Sequence, residues 1–150
     1  MKCLCAITRR AARTLTHYYE EKLRPVGMTP AQFELLYNLF HQPGLAQSAL
    51  AKAVGADQTT LSRNLKALAE KGWIAAAKEG RTASYELTVT GKAAWKRALP
   101  RWQRAQSEMQ AALGPDWERV FETLENLAAI NAAGPPTGSS SRSSNRGTSR

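Results

Sequence analysis

Five polar side chains recur along one segment of the chain at the spacing of a single helix face. They are Gln58, Thr59, Ser62, Arg63 and Lys66. Glutamine can pair with N6 and N7 of adenine, and arginine can form two parallel hydrogen bonds to O6 and N7 of guanine. Serine and threonine can bond phosphates or bases, and a lysine supplies a point charge to the phosphate backbone. This combination suits the reading of duplex DNA.

The opposite face of this segment is apolar, which predicts a helix packed on a core. Its apolar positions are Leu61, Leu65 and Leu68. Asp57 is a suitable N-cap, and Gly72 lies where a helix commonly ends. A shorter helix over residues 48–54 precedes it, and Gly55 permits the sharp turn between the two. This succession predicts a helix-turn-helix whose second helix enters the major groove.

Two other segments are candidates for contact with the DNA backbone and the minor groove. Gln47 and Ser48 begin the shorter helix, where the N–H groups of a first turn can bind phosphate. Two β-prone runs flank a hairpin tip farther on, residues 73–78 and 83–87. Arg81 at that tip can enter the narrow minor groove, and Lys78 lies beside it. A solvated hairpin with charges for solubility is the alternative for both residues.

Amphipathic helices flank this central region on both sides. Apolar residues recur every three or four positions over residues 3–23, 89–113 and 117–132, and Thr29 with Pro30 starts a further helix. A middle domain of this size cannot cover all the outer stripes, so we expect the outer helices to pair with each other and with a second copy. The predicted fold class is mainly α with a small β-hairpin wing, a winged helix-turn-helix with N- and C-terminal dimerisation helices.

These elements divide the chain into four parts. They are an N-terminal dimerisation helix (1–29), a winged helix-turn-helix DNA-binding lobe (30–90), C-terminal dimerisation helices (91–133) and a Ser/Arg-rich tail (134–150). The tail has too few apolar residues to bury, which predicts disorder. It is either inert or a basic arm that touches phosphates.

The overall composition favours a polyanionic partner. The 150 residues carry 21 Lys and Arg against 12 Asp and Glu, a net charge of +9. Basic proteins of this size commonly meet nucleic acid or an acidic membrane face. No run approaches the ~20 apolar residues of a membrane span and no signal peptide is evident, so we expect a cytoplasmic protein. With neither a glycine-rich phosphate loop nor a nucleophile motif, we expect no enzymatic activity and no cofactor.

Two cysteines near the N-terminus are candidate sensors. Cys3 and Cys5 could bind a thiophilic metal or be oxidised. Because side chains at i and i+2 of a helix point apart, an internal disulfide is disfavoured there, whereas one between subunits is freer. The alternative is that both thiols pack as small apolar groups in a dimer interface. His17 and Tyr18 are candidates for a ligand pocket, with ordinary packing as their alternative.

Four runs of sequence form a set that is more specific than any one of them alone. They are residues 45–51 (LAQSALA), 54–63 (VGADQTTLSR), 70–74 (EKGWI) and 87–91 (LTVTG). Together they resemble the MarR family of bacterial winged helix-turn-helix regulators, over about residues 4–132. The wing departs from the family pattern, because Glu79 stands where an aspartate would precede Arg81 by two residues.

The resemblance implies an obligate homodimer with its first and last helices at the dimer interface. It further implies a recognition helix over residues 57–71, a wing arginine at Arg81 and a pseudo-palindromic DNA operator. The resemblance favours a repressor that is released from DNA by a ligand, a metal or an oxidant. It places the ligand site between the dimerisation helices and the DNA-binding lobe.

A winged-helix protein-interaction module without sequence-specific DNA binding is the competing hypothesis, since a fold alone does not fix a function. Protein interfaces favour aromatic or aliphatic anchors, and the polar face over residues 58–66 has none. Salt dependence separates the two, because counterion release weakens DNA binding steeply between ~50 and ~200 mM salt.

Overall fold

The computed structural model of the chain describes residues 2–79 and 82–133. Its elements in chain order are α1 (Leu4–Leu23), α2 (Pro30–His41), β1 (Leu45–Ala46), α3 (Gln47–Val54), α4 (Gln58–Glu70), β2 (Ile74–Glu79), β3 (Thr82–Leu87), α5 (Val89–Leu113) and α6 (Trp117–Ala133). Single 3-10 turns cover Arg24–Val26 and Gly114–Asp116. The predicted wing tip at Gly80 and Arg81 and the predicted tail over residues 134–150 lie outside the described residues.

The predicted helix starts are confirmed by their side-chain caps. The Thr29 hydroxyl accepts the Gln32 N–H at 3.2 Å, and the Gln32 side chain accepts the Thr29 N–H at 3.3 Å. This reciprocal pair satisfies two backbone donors at the start of α2. At the start of α4, the Asp57 carboxylate accepts both the N–H and the hydroxyl of Thr60, each at 2.8 Å. These bonds lower the pKa of Asp57, and the bond from the Thr60 backbone N–H has the largest effect.

The chain forms two compact units that divide between Met109 and Gln110. The first unit contains a core built from α1 to α5 and the sheet. Its largest fully buried side chains are Leu23, Leu35, Leu36, Leu39, Leu50, Leu61 and Leu68. Leu61, Leu65 and Leu68 are all buried, which confirms the predicted core face of α4.

The sheet has three strands, one more than the sequence predicted. The strand order is β1-β3-β2, and both pairs are antiparallel. Strand β1 has only two residues, and it pairs Leu45 with Tyr85 and Ala46 with Ser84. A run this short has no periodicity that could reveal it, and it is recognised only through its pairing with β3.

A close backbone approach joins the wing to α5. The Trp73 carbonyl accepts the Thr88 N–H at 3.1 Å, and the Gly72 carbonyl accepts the hydroxyls of Thr88 and Thr90 at 2.6 and 2.7 Å. Thr88 also caps α5, because its hydroxyl accepts the Gly91 N–H at 3.0 Å. Gly91 lies so close to Trp73 that a Cβ there would fall 1.8 Å from its carbonyl oxygen. The LTVTG run therefore fixes the base of the wing.

The second unit contains α6, on which several large apolar side chains are exposed. The rings of Trp117 and Phe121 lie 4.8 Å apart between centroids, and Phe121, Leu124 and Ile130 are each about two-fifths exposed. Among the described residues, no helix has both the length and the apolar character needed to cross a bilayer.

Candidate nucleic-acid interface

The polar face of α4 is open to solvent over its whole length. Every residue that the sequence assigned to DNA contact on this helix is exposed, namely Gln58, Thr59, Ser62, Arg63 and Lys66. Lys66 has only a loose ion pair with Glu70 at 3.9 Å, and both side chains are largely exposed. In the described ranges, no carboxylate oxygen lies within ion-pair distance of Arg63. The helix thus presents donors and positive charge, the groups that bind base edges and phosphates.

The side chain of Gln47 is held against α4. Its Nε2 lies 3.0 Å from the Ser62 hydroxyl and 3.4 Å from Oε1 of Gln58. Its Oε1 lies 3.4 Å from the hydroxyl of Tyr85 on β3. The structure therefore brings three of the predicted contact residues together, and it adds Tyr85. The sequence shows Tyr85 only as one member of a β-prone run, so it gave no signal for this contact.

The first turn of α3 is free of side-chain capping. Its N-cap residue is Ala46, which has no side chain that could accept a first-turn N–H group. Ser48 is exposed in that turn, where the sequence predicted a phosphate contact to the first-turn N–H groups.

The wing is described in part. Lys78 belongs to β2, whose pairing with β3 runs from Ile74 with Leu87 to Glu79 with Thr82. Arg81 lies outside the described residues, as does the arrangement of the wing tip.

The two cysteines straddle the start of α1, and both are exposed. Cys3 occupies the N-cap position with an extended backbone, at φ −115° and ψ 114°, and makes no side-chain cap. Only Cys5 is within the helix, so the expected divergence of two helical side chains does not apply to this pair.

The candidate pocket residues His17 and Tyr18 face different surroundings. His17 is exposed near Glu21, with Nε2 3.8 Å from the carboxylate. Tyr18 is half-buried, and its hydroxyl donates a hydrogen bond to the carboxylate of Glu108 on α5. The same carboxylate accepts a hydrogen bond from Lys22. Side-chain hydrogen bonds to the Glu108 carboxylate lower its pKa to about 2. The bond from Lys22 has the largest effect, followed by those from Tyr18 and Arg104. This cluster fastens α1 to α5.

These observations define a winged helix-turn-helix protein in which the second helix of the motif, α4, has an exposed face rich in hydrogen-bond donors. The model of the MarR family matches residues 28–78. An HTH-type transcriptional repressor of Mycobacterium tuberculosis is 30% identical over 111 residues, which is 71% of this chain and 80% of the relative. Uncharacterised HTH-type transcriptional regulators of Bacillus cereus are 36% identical over 87 residues. This stretch is 58% of this chain and 59% of their own length. The chain belongs to the MarR family of transcriptional regulators, which are not enzymes.

Solved structures agree along most of the chain. The M. tuberculosis transcriptional regulator MosR in complex with DNA superposes with a TM-score of 0.80 at 37% identity, covering 88% of this chain and 98% of that one. The repressor CouR bound to a 23-mer DNA duplex gives 0.73 at 27% identity, covering 86% and 92%. PcaV of Streptomyces coelicolor in complex with its natural ligand gives 0.74 at 25% identity, covering 84% and 91%. The fold class predicted from the sequence is confirmed.

Proposed function

We propose that this protein is a homodimeric transcriptional repressor that binds a pseudo-palindromic DNA operator and is released by an effector. The single observation that carries DNA binding is the exposed polar face of α4. It presents Arg63, Lys66 and three other donor-bearing side chains beside the uncapped first turn of α3. The net charge of +9 and the DNA-bound structures of MosR and CouR support the same proposal.

The first experiment selects duplexes from a random pool and measures their binding by fluorescence anisotropy. We expect the protein to enrich an inverted repeat whose half-sites lie about one helical turn apart, as two-fold symmetry requires. Affinity should fall steeply between ~50 and ~200 mM salt. Enrichment of no sequence, with weak salt dependence, would refute the proposal and favour the protein-interaction module.

Two variants on α4 separate base contact from phosphate contact. We expect Arg63→Ala to cost ~1–3 kcal/mol on the selected duplex and much less on a shuffled one, because guanine recognition is lost. Lys66→Ala should weaken binding to both duplexes alike and reduce the salt slope by about one. Equal binding by Arg63→Ala and the parent would remove Arg63 from the readout, and a purely selective loss would contradict the phosphate role of Lys66.

Exposed apolar groups support the proposed dimer. On α1, Leu4 and Ile7 are 62% and 47% exposed, and α6 exposes Phe121 and Leu124. Exposed apolar surface of this kind marks an interaction site. The charges are also complementary, because the first half of α1 is rich in arginine and α6 is rich in glutamate. Light scattering over a concentration series should give the mass of a dimer, and a monomer at all concentrations would refute this part.

We propose two kinds of effector, a reagent that reacts with the thiols and a small-molecule ligand. Both thiols are exposed, which supports reaction with an oxidant or a thiophilic metal. The ligand complex of PcaV supports a small molecule instead. Burial of Cys3 and Cys5 in the dimer interface is the remaining alternative, in which they only pack.

Anisotropy on the selected duplex distinguishes these two kinds of effector. It is measured with reduced protein, after mild peroxide and with a thiophilic metal, in parallel with Cys3→Ser/Cys5→Ser. Release from the parent and not from the double variant would establish the cysteines as the sensor. Tight binding by the parent in every condition would show that the thiols pack, and would leave a small organic ligand as the effector.

A further inference from the structure

Gln47 lies where three elements of the DNA-binding lobe meet. It is the first residue of α3, it contacts α4 through its Nε2, and it contacts β3 through its Oε1. The pairing of β1 with β3 explains the second contact, because Leu45 stands opposite Tyr85 and Gln47 follows two residues later. The short strand β1 thus brings the Tyr85 hydroxyl to the Gln47 amide.

Hydrogen-bond chemistry gives this junction a direction. A phenol is a better donor than acceptor, since its ring withdraws density from the oxygen, and an amide oxygen is a strong acceptor. Tyr85 therefore donates to Oε1 of Gln47, which turns the Gln47 amide N–H groups toward α4. There they donate to the Ser62 hydroxyl at 3.0 Å and to Oε1 of Gln58 at 3.4 Å.

The direction of these bonds decides what α4 offers to a ligand. A serine hydroxyl has one donor and can accept through its lone pairs. Because Ser62 accepts from Gln47, its own O–H is free to donate outward from an exposed position. The base-edge acceptors that such a donor meets in the major groove are guanine N7 and O6, adenine N7 and thymine O4.

We propose that Tyr85, acting through Gln47, is a positioning residue that sets Ser62 to donate a hydrogen bond to a base-edge acceptor in duplex DNA. This inference rests on the proposed function and assigns a specificity role to a residue of the wing base. Among the described residues, the hydrogen bonds of Tyr85 reach α4 through Gln47. Removal of the Tyr85 hydroxyl should therefore alter sequence selectivity without altering attraction to phosphates in general.

The test compares Tyr85→Phe with the parent on two duplexes, one selected by the parent from a random pool and one of the same composition in shuffled order. We expect about a 2- to 10-fold loss on the selected duplex, the effect of one hydrogen bond, and no loss on the shuffled one. Tyr37→Phe is the matched control, because it removes a hydroxyl from a tyrosine on α2 that is 44% exposed. Tyr37→Phe should bind both duplexes as the parent does.

A double-mutant cycle tests the route through Gln47. Gln47→Met keeps the length of the side chain and removes both its donor and its acceptor. In that background we expect Tyr85→Phe to cause no further loss. Unfolding midpoints are measured for all variants. If Tyr85→Phe is unstable, binding is compared below its unfolding midpoint, where loss of folded protein would lower binding to both duplexes alike and a selective loss must still appear.

Each result bears on the inference in a definite way. Equal losses on both duplexes would make Tyr85 merely structural, and an undiminished effect in the Gln47→Met background would remove Gln47 from the route. Parent-like selectivity of Tyr85→Phe would overturn the inference while leaving the proposed function intact. If the parent selects no sequence at all, the proposed function fails, and the inference fails with it.

Discussion

Replacing Gly91 by alanine should destabilise the junction between the wing and α5. The added Cβ would lie 1.8 Å from the Trp73 carbonyl oxygen, whereas real Cβ atoms essentially never come within 3.0 Å of such an atom. The two backbones would therefore have to separate by at least the difference, 1.2 Å. The obstacle is backbone, which cannot rotate away as a flexible side chain can.

The magnitude follows from the bonds that cross this junction. Three hydrogen bonds join Thr88 and Thr90 to the carbonyls of Gly72 and Trp73. Weakening them costs about 1 kcal/mol each, and overpacking adds about 1–3 kcal/mol. Alanine in a helix regains about 1 kcal/mol over glycine, and part of the strain relaxes. We expect a net loss of about 2–4 kcal/mol.

Thermal unfolding followed by circular dichroism measures this loss. For a chain of this length the expected fall in Tm is roughly 5–15 °C. Lys92→Ala is the matched control, because it also places an alanine in the first turns of α5 but at an exposed position. Its Tm should stay close to that of the parent. A Gly91→Ala protein that unfolds at the parent's Tm would refute the close approach on which the reasoning rests.

Three further predictions concern stability. Because the folded pKa of Glu108 is about 2 against an ordinary 4.5, its contribution is present above pH 4.5 and is lost as the pH falls toward 2. Glu108→Gln should therefore lower Tm at neutral pH and reduce the fall in Tm on acidification. Glu20→Gln, at an exposed position, is the control and should do neither. Parallel curves of Tm against pH for the parent and Glu108→Gln would contradict this. Lys71→Met should lower the free energy of unfolding, measured with urea, by about 1–2 kcal/mol. The Lys71 ammonium donates to the Gly27 carbonyl oxygen at 2.6 Å and to Oε1 of Gln32 at 3.0 Å, and the variant loses both bonds. An unchanged urea midpoint would show that those bonds are not stabilising. Thr29→Ala should cost about 0.5–2 kcal/mol by removing the cap of α2, and Thr29→Ser should recover most of it; equal stability of the two variants would refute the capping role.

The sequence determined those features that depend on neighbours within a few positions. The caps at Thr29 and Asp57 are local hydrogen bonds between residues three apart, so their pattern is visible in the chain itself. The buried face of α4 is likewise a local periodicity, and Leu61, Leu65 and Leu68 lie where that period places them. Identification of the exposed face followed directly, because it is the other side of the same helix.

Tertiary structure alone decided the contacts between residues that are distant in the chain. Tyr85 and Gln47 are 38 positions apart, and Tyr18 and Glu108 are 90 apart. No periodicity links such pairs, because their approach depends on how the core packs and on the two-residue strand β1. The sequence motif ending at Gly91 was recognisable as a pattern, but the reason for its glycine appears only when α5 meets the carbonyl of Trp73. Short-range chemistry thus set the helices and their polar faces, while long-range packing determined which side chain orients which.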